Sequence, residues 1–200
     1  MPRNKESNQK VKDERREQIL SVALMLFATK GLAATRITDI SVKTDISQGL
    51  IYHYFSSKEE IFVSLIRSAM NKMNEAARNL ERLPIPAKEK IILAATELLK
   101  GIVKNESTSQ YYFLITQAAL SDAIPLEAKE IIKSQNDVKY EIITRIFQEG
   151  QKDGVVKDHD AREMTTFFFT TINGLALNKA IYGKKFKMPD KNIFLNMFLK

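Results

Sequence analysis

Cysteine is absent from this sequence of 200 residues. That excludes disulfides and thiolate metal sites, and it suits a reducing compartment. Histidine is nearly absent: His53 and His159 stand in distant parts of the chain, without partners at metal-ligand spacing. No phosphate-binding loop occurs either. No metal, no cofactor and no enzyme active site are therefore expected. Only 7 glycines and 5 prolines are present, which leaves room for long helices and few loops. No segment alternates strictly between apolar and polar residues, so no strand is expected. No apolar run reads as a membrane span, and the polar segment after Met1 does not read as a signal peptide. A cytoplasmic protein with no membrane partner is expected.

What is present is positive charge and helical periodicity. The net charge is +7, an excess that favours phosphate backbones. Arg3, Lys5, Lys10, Lys12, Arg15 and Arg16 form a basic leading arm. Lys179, Lys184, Lys185, Lys187 and Lys191 form a second cluster, read as a solvated surface. Residues 1–12 are polar and expected to fray. Ile19, Leu20, Ala23, Leu26 and Phe27 recur at helical spacing over 13–29, and Gly31 stops that helix. Thr35 reads as the N-cap of a second helix carrying Ile37, Ile40 and Ser41 inward. Thr44-Asp45-Ile46 is a turn. Ser47 caps a third helix reaching about Tyr52 or His53, with Ile51 and Phe55 facing inward. Ser57-Lys58-Glu59-Glu60 matches a capping box, opening a fourth helix that Leu83-Pro84-Ile85-Pro86 ends. Further helices are expected at about 87–104, 107–121, 125–150, 160–182 and 190–199. The expected fold is all-α.

The stretch 35–58 carries the sharpest signal. It encodes two short helices around a tight turn, and the second begins with small polar residues. Such a helix can enter the major groove of DNA while the helix before it braces the assembly. Three groups of residues stand in register over 13–62: Leu26-Phe27 to Gly31, Thr38-Asp39-Ile40, and Ser47 to Glu59. In these the chain resembles the TetR (tetracycline-repressor) family of bacterial regulators. The sequence departs from that pattern at Arg36, at Asp45 in place of a frequent turn glycine, and at Leu50. Aspartate tolerates a left-handed backbone, and Leu50 can pack on a thymine methyl.

The candidate DNA-binding residues are Thr35, Arg36, Thr38, Ser47, Gln48, Gly49, Tyr52, His53 and Lys58. Gln48 can bond an adenine edge or a phosphate, and Tyr52 and His53 suit phosphate oxygens. Gly49 makes sense in a helix if backbone must approach DNA closely. Lys58 lies in the first turn of a helix whose free amides attract anions. The expected division is a helix-turn-helix domain over 1–58 and a ligand-binding and dimerisation bundle over 59–200, linked by the helix at about 58–82.

In the bundle, aromatics gather on few helices, and amides fall on apolar stripes. Helices four, five, seven and eight are expected to enclose an apolar pocket holding Met70, Met73, Gln135 and Phe168. Tyr111, Gln117 and Asn173 are its polar edges. No charged residue falls clearly on these stripes, so a neutral ligand is expected. A filled core would place the same amides against neighbouring helices. The helix at 160–182 is apolar nearly all round, which favours a partner subunit; Phe168, Gly174, Leu175, Phe194 and Phe198 are its interface candidates. The resemblance implies a dimeric transcriptional regulator, a repressor released by a small apolar or amphipathic effector. Its partners are a pseudo-palindromic double-stranded operator, that effector and a second copy of the chain. The alternatives are a ligand-binding or scaffold bundle with a vestigial helix-turn-helix, and an all-helical enzyme.

Overall fold

The computed structural model describes residues 3–121 and 123–200. Among them the chain is helical nearly throughout: α1 (Arg3–Ala34), α2 (Ile37–Thr44), α3 (Gln48–Tyr54), α4 (Lys58–Arg82), α5 (Ala87–Lys104), α6 (Glu106–Leu120), α7 (Leu126–Lys152), α8 (Ala161–Tyr182) and α9 (Lys191–Leu195). Extended pairing among the described residues is limited to one antiparallel bridge between Val156 and Leu199. The last helix is shorter than its periodicity suggests, because the chain after Leu195 turns to make that bridge.

Helix α1 begins at Arg3, so the leading residues are helical rather than frayed. Lys, Glu, Gln and Arg are good helix formers, and they extend the helix outward from its buried half. Gly31 takes φ 80° and ψ 163°, a left-handed excursion open to glycine. It ends the straight run and offsets the last turn. By length and composition Ser7–Ala34 also passes for a membrane span, which corrects the expectation from apolar runs. Its apolar side, from Ile19 to Phe27, is nevertheless used inside the protein.

Two apolar cores share α4 and α7. The first joins Phe27, Ile40, Ile51, Phe55 and Phe62 with Leu114, Ala118, Ala128 and Ile131. It binds the first three helices to α4, α6 and α7. The second joins Ile91, Leu99, Ile146, Phe147, Phe168, Phe194 and Phe198. Three polar clamps run along the α4–α7 seam. Arg67 pairs with Glu127, the Asn74 side chain donates to the Gln135 carbonyl at 3.0 Å, and Arg145 donates to Glu81 at 2.8 Å. At the far end Gly150 lets α7 close on Val156 and Ala87: a Cβ there would meet Val156 Cγ2 at 2.5 Å.

Candidate nucleic-acid interface and effector cavity

Helix α3 is short because Ser47 starts it and Phe55 ends it. The Ser47 hydroxyl accepts the Leu50 amide at 3.3 Å, and Phe55 is extended and buried. Ile51 and Phe55 anchor the helix, which leaves Gln48, Gly49, Leu50, Tyr52 and His53 exposed. Tyr54 packs partly against the first core. The turn before α3 rests on Asp45, which adopts φ 54° and ψ 34°. Ser41 stitches it by donating to the Ile46 carbonyl at 2.7 Å. Gly49 has open space where a Cβ would be, so nothing inside the protein requires a glycine there.

Helix α2 is capped differently from the expectation. Thr35 is 0% exposed, and its hydroxyl donates to the Gly31 carbonyl at 2.7 Å. Arg36 is the N-cap, and the Asp39 carboxylate accepts its amide at 3.0 Å. That bond, together with Lys30 at 3.6 Å, holds the Asp39 carboxyl below its ordinary range. Thr35 therefore fastens the end of α1, and its side chain is closed to DNA. Arg36 and Thr38 remain exposed.

Lys58 is also redirected. Its ammonium donates to the carbonyls of Leu32, Ala33 and Thr35 at 2.9, 3.1 and 2.9 Å. All three donors are spent on carbonyls at and just beyond the end of α1, where the helix dipole welcomes a cation. Lys58 thus fastens the start of α4 to the end of α1 while lining the cleft described below. Lys90 does the same for α4, donating to the Glu81 carbonyl at 3.0 Å. Ser57 caps α4 by accepting the Glu60 amide at 3.1 Å, but the Glu60 carboxylate reaches back to Ser56, one residue earlier than a capping box requires.

A cleft of about 420 Å³ lies where the leading ends of α2 and α4 meet α3. Arg36, Thr38, Gln48 and Tyr52 are on its walls, with Tyr52 53% exposed. Sequence reading missed Val42, an apolar side chain 82% exposed on α2. Its position off the buried Ile37–Ile40–Thr44 stripe was the available signal. On the leading arm, the Arg16 guanidinium stacks 5.1 Å from the Phe55 ring centre. Lys10, Lys12 and Arg15 are exposed, while the side chains of Arg3 and Lys5 lie outside the described residues.

The second site is a cavity of about 540 Å³ enclosed by α4, α5, α6, α7 and α8. Met73, Ala76 and Leu80 from α4 face Leu98, Tyr111, Tyr112, Ile143, Phe168 and Phe169. Of the expected lining, Met73, Tyr111 and Phe168 are on its walls; Met70, Gln117, Gln135 and Asn173 are not. Met70 belongs to the first core. Gln135 faces α4 beside Asn74, where the side-chain oxygens of both residues are buried without a hydrogen bond. Asn173 is exposed on α8. Charge also enters the wall: Lys72, Glu97 and Lys139 all line it, which corrects the expectation of an uncharged lining. Helical wheels drawn for single helices hide this, because long side chains reach the cavity from the flank of a stripe. Burial pushes the Tyr112 hydroxyl up to about 12.

The interface candidates divide as well. Phe168 is 1% exposed and touches the rings of Phe147, Phe169, Phe194 and Phe198. Phe194 and Phe198 are buried beside it, and Leu175 packs against the same core. These four build the subunit interior. Gly174 faces outward between Phe167, 55% exposed, and Ile181, with open space at its Cβ position.

Comparison with known proteins agrees with this architecture. Residues 19–65 match the family model for bacterial regulatory proteins of the tetR family. The transcriptional regulator YfiR of Bacillus subtilis is 25% identical over 179 residues, covering 86% of this chain and 82% of that one. Two solved structures share the fold. A transcriptional regulator from Saccharomonospora viridis in complex with choline superposes with a TM-score of 0.74 at 22% identity, over 94% of this chain and 99% of that one. FadR from Bacillus subtilis in complex with stearoyl-CoA superposes with a TM-score of 0.70 at 23% identity, over 90% and 96%. The matched residues span the end of α1 to the start of α4, so this chain carries a DNA-binding domain of the tetR-family type over residues 19–65, and the helical body behind it shares the fold of the solved regulators.

Proposed function

We propose that this chain is a dimeric repressor whose grip on a pseudo-palindromic operator is released by a small molecule in the cavity behind α4. The observation that carries this is that one helix serves both sites. Helix α4 starts at the DNA-facing cleft and supplies Ala69, Met73, Ala76, Ala77 and Leu80 to the cavity wall. A ligand that fits one tilt of α4 better than another shifts the two reading helices relative to each other. The two α3 helices of a dimer must sit one DNA turn apart, roughly 34–36 Å, to read adjacent half-sites. Residues 1–58 act as the reading head and 59–200 as the effector-binding and dimerising body, with the work done by binding rather than catalysis and in the cytoplasm. The effector is a small, largely apolar molecule; choline and stearoyl-CoA, bound by the two structural relatives, show two chemistries that this fold accommodates.

The reading surface comprises Arg36, Thr38, Gln48, Gly49, Tyr52 and His53, with Val42 and Leu50 as apolar contacts. Ser47 shapes it as the cap of α3. The dimer seam is the outward face of α8. Phe167, Thr170, Gly174, Leu177 and Ile181 follow the three-and-four spacing of a helix-packing seam, and Gly174 admits a close second helix.

An electrophoretic shift assay on the DNA upstream of the gene, titrated with salt, tests this reading. Tyr52→Phe should weaken binding to all sequences alike, whereas Gln48→Ala should relax preference at one base pair, by about 1–3 kcal/mol. Wild-type operator binding by both variants would refute the assignment of α3.

A further inference from the structure

Of the three charged residues lining the cavity, Lys72 and Glu97 are exposed and Lys139 alone is partly buried. It lines the cavity from α7 together with Ile143, Phe168, Phe169 and Tyr112. Its ammonium donates to Asn136 Oδ1 and lies 5.5 Å from the Tyr140 ring centre and 5.9 Å from that of Phe169. The nearest acid, Asp137 on the same helix, is 3.8 Å from Arg162 of α8, and Arg162 covers the other aromatic contact at Tyr140. Glu97 across the cavity is exposed and paired with Lys100 at 3.1 Å. Lys72 on α4 is exposed. The cavity thus has an apolar body, solvent-facing charges at its rim and one half-buried cation deeper in.

A half-buried ammonium given only an amide oxygen and ring faces is poorly compensated. An anion brought in by a ligand would supply what the protein withholds, in a setting where a charge-assisted hydrogen bond is strong. One ammonium answers one negative charge. A polyphosphate would leave most of its charge unmatched among apolar side chains.

We propose that the effector is an amphipathic monoanion, an apolar body ending in a carboxylate that Lys139 binds inside the cavity. This rests on the cavity being the effector site. Burial lowers the Lys139 ammonium to about 8, so the cation is retained near neutrality and lost in mildly alkaline solution. Asp137, Arg162, Tyr112, Tyr140, Lys72 and Glu97 are the other ionisable groups around it. A bound carboxylate raises the Lys139 value, and affinity for the acid falls once the pH passes the value of the empty site.

Calorimetric titration of the whole protein with three probes of equal chain length tests the proposal: decanoate, 1-decanol and decanoyl-CoA. Wild type should bind decanoate about tenfold or more tightly than decanol. Lys139→Met keeps the straight apolar stem; it should abolish that preference while leaving decanol binding intact. Lys133→Met, at an exposed position on α7 outside the cavity lining, should preserve it. Decanoate affinity should fall between about pH 7 and pH 10, with decanol unchanged. Equal binding of decanoate by wild type and Lys139→Met overturns the proposal, and so does tighter binding of decanoyl-CoA than of decanoate. If decanol binds without discrimination from decanoate, the cavity reading survives and the carboxylate is wrong. If none of the three binds, the cavity reading fails and takes the carboxylate with it.

Discussion

Between Ile37 and Phe55, two short helices hold a polar surface in place by local means: a carboxylate at an amide, a hydroxyl at an amide, and a left-handed aspartate in the turn. Between Ala161 and Tyr182, a single helix holds a phenylalanine cluster in place by burial from neighbouring helices. The head is specified by residues close in sequence, the body by residues far apart. A substitution in the head should therefore disturb one contact and spare the fold. In the body, adjacent residues of one helix should differ completely in their effects, according to the face they occupy.

Phe168 and Phe167 test that contrast most directly. Phe168→Ala removes the ring that joins four others, and should cost about 3–5 kcal/mol, readable as a lower urea midpoint. Phe167→Asp, one residue earlier and exposed, should leave the melting temperature of the subunit nearly unchanged and shift sedimentation toward monomer. Equal destabilisation by both would erase the distinction between the faces of α8. A dimer unaffected by Phe167→Asp would move the seam elsewhere.

Lys58 sharpens the comparison from the head. With three carbonyl partners its role is structural, so Lys58→Ala should lower stability by about 2–3 kcal/mol. Operator affinity should fall only as far as the head loosens, and the salt dependence of binding should keep its slope. A reduced slope with unchanged melting would return Lys58 to the phosphate contacts.

A matched pair of glycines gives the next effect. Gly49 in α3 and Gly174 in α8 are both helical, and both have open space at the Cβ position. Alanine at either should stabilise the isolated subunit by about 1 kcal/mol. If the reasons for the two glycines lie outside the subunit, Gly49→Ala should weaken operator binding alone, and Gly174→Ala should weaken dimerisation alone. A variant more stable and fully functional would show that its glycine serves no close approach.

The order of elements was legible because apolar periodicity and Pro or Gly punctuation are local properties. Ser47, Asp45 and Ile51 were legible for the same reason. Thr35 was misjudged as the cap of α2, and the carbonyl partners of Lys58 were not foreseen, because both depend on how Gly31 bends the chain. The cavity was legible as a gathering of aromatics, but its lining only in part, through Met73, Tyr111 and Phe168. Gln135 and Met70 lie on the right helices and the wrong faces, and Lys139 reaches in from the edge of its stripe. Whether Phe168 or Phe167 faces outward depends on which side of α8 the other helices cover, and neighbouring residues of similar type do not reveal that.

The smallest expected effect concerns the acid stability of the head. Asp39 has its carboxyl held below the ordinary 3.8, first by the Arg36 amide and then by Lys30. The Glu60 carboxyl is held below its ordinary 4.5 by the Ser56 hydroxyl and amide. A carboxyl lowered on folding stabilises the folded state above its unfolded value, and that stabilisation is lost as pH falls through the lower folded value. The contribution of this pair is therefore complete above 4.5 and disappears in solutions more acid than 3.8. Asp39 is partly and Glu60 well exposed, so solvent screening keeps the effect modest. Asp39→Asn removes one of the two titrations. Melting curves across this acid range should be shallower in pH for Asp39→Asn than for wild type, and the two should run parallel near neutrality. Identical pH dependence in wild type and variant would show that the α2 cap is formed equally well by a neutral side chain. The local fastening of the head would then rest on hydrogen-bond geometry rather than charge.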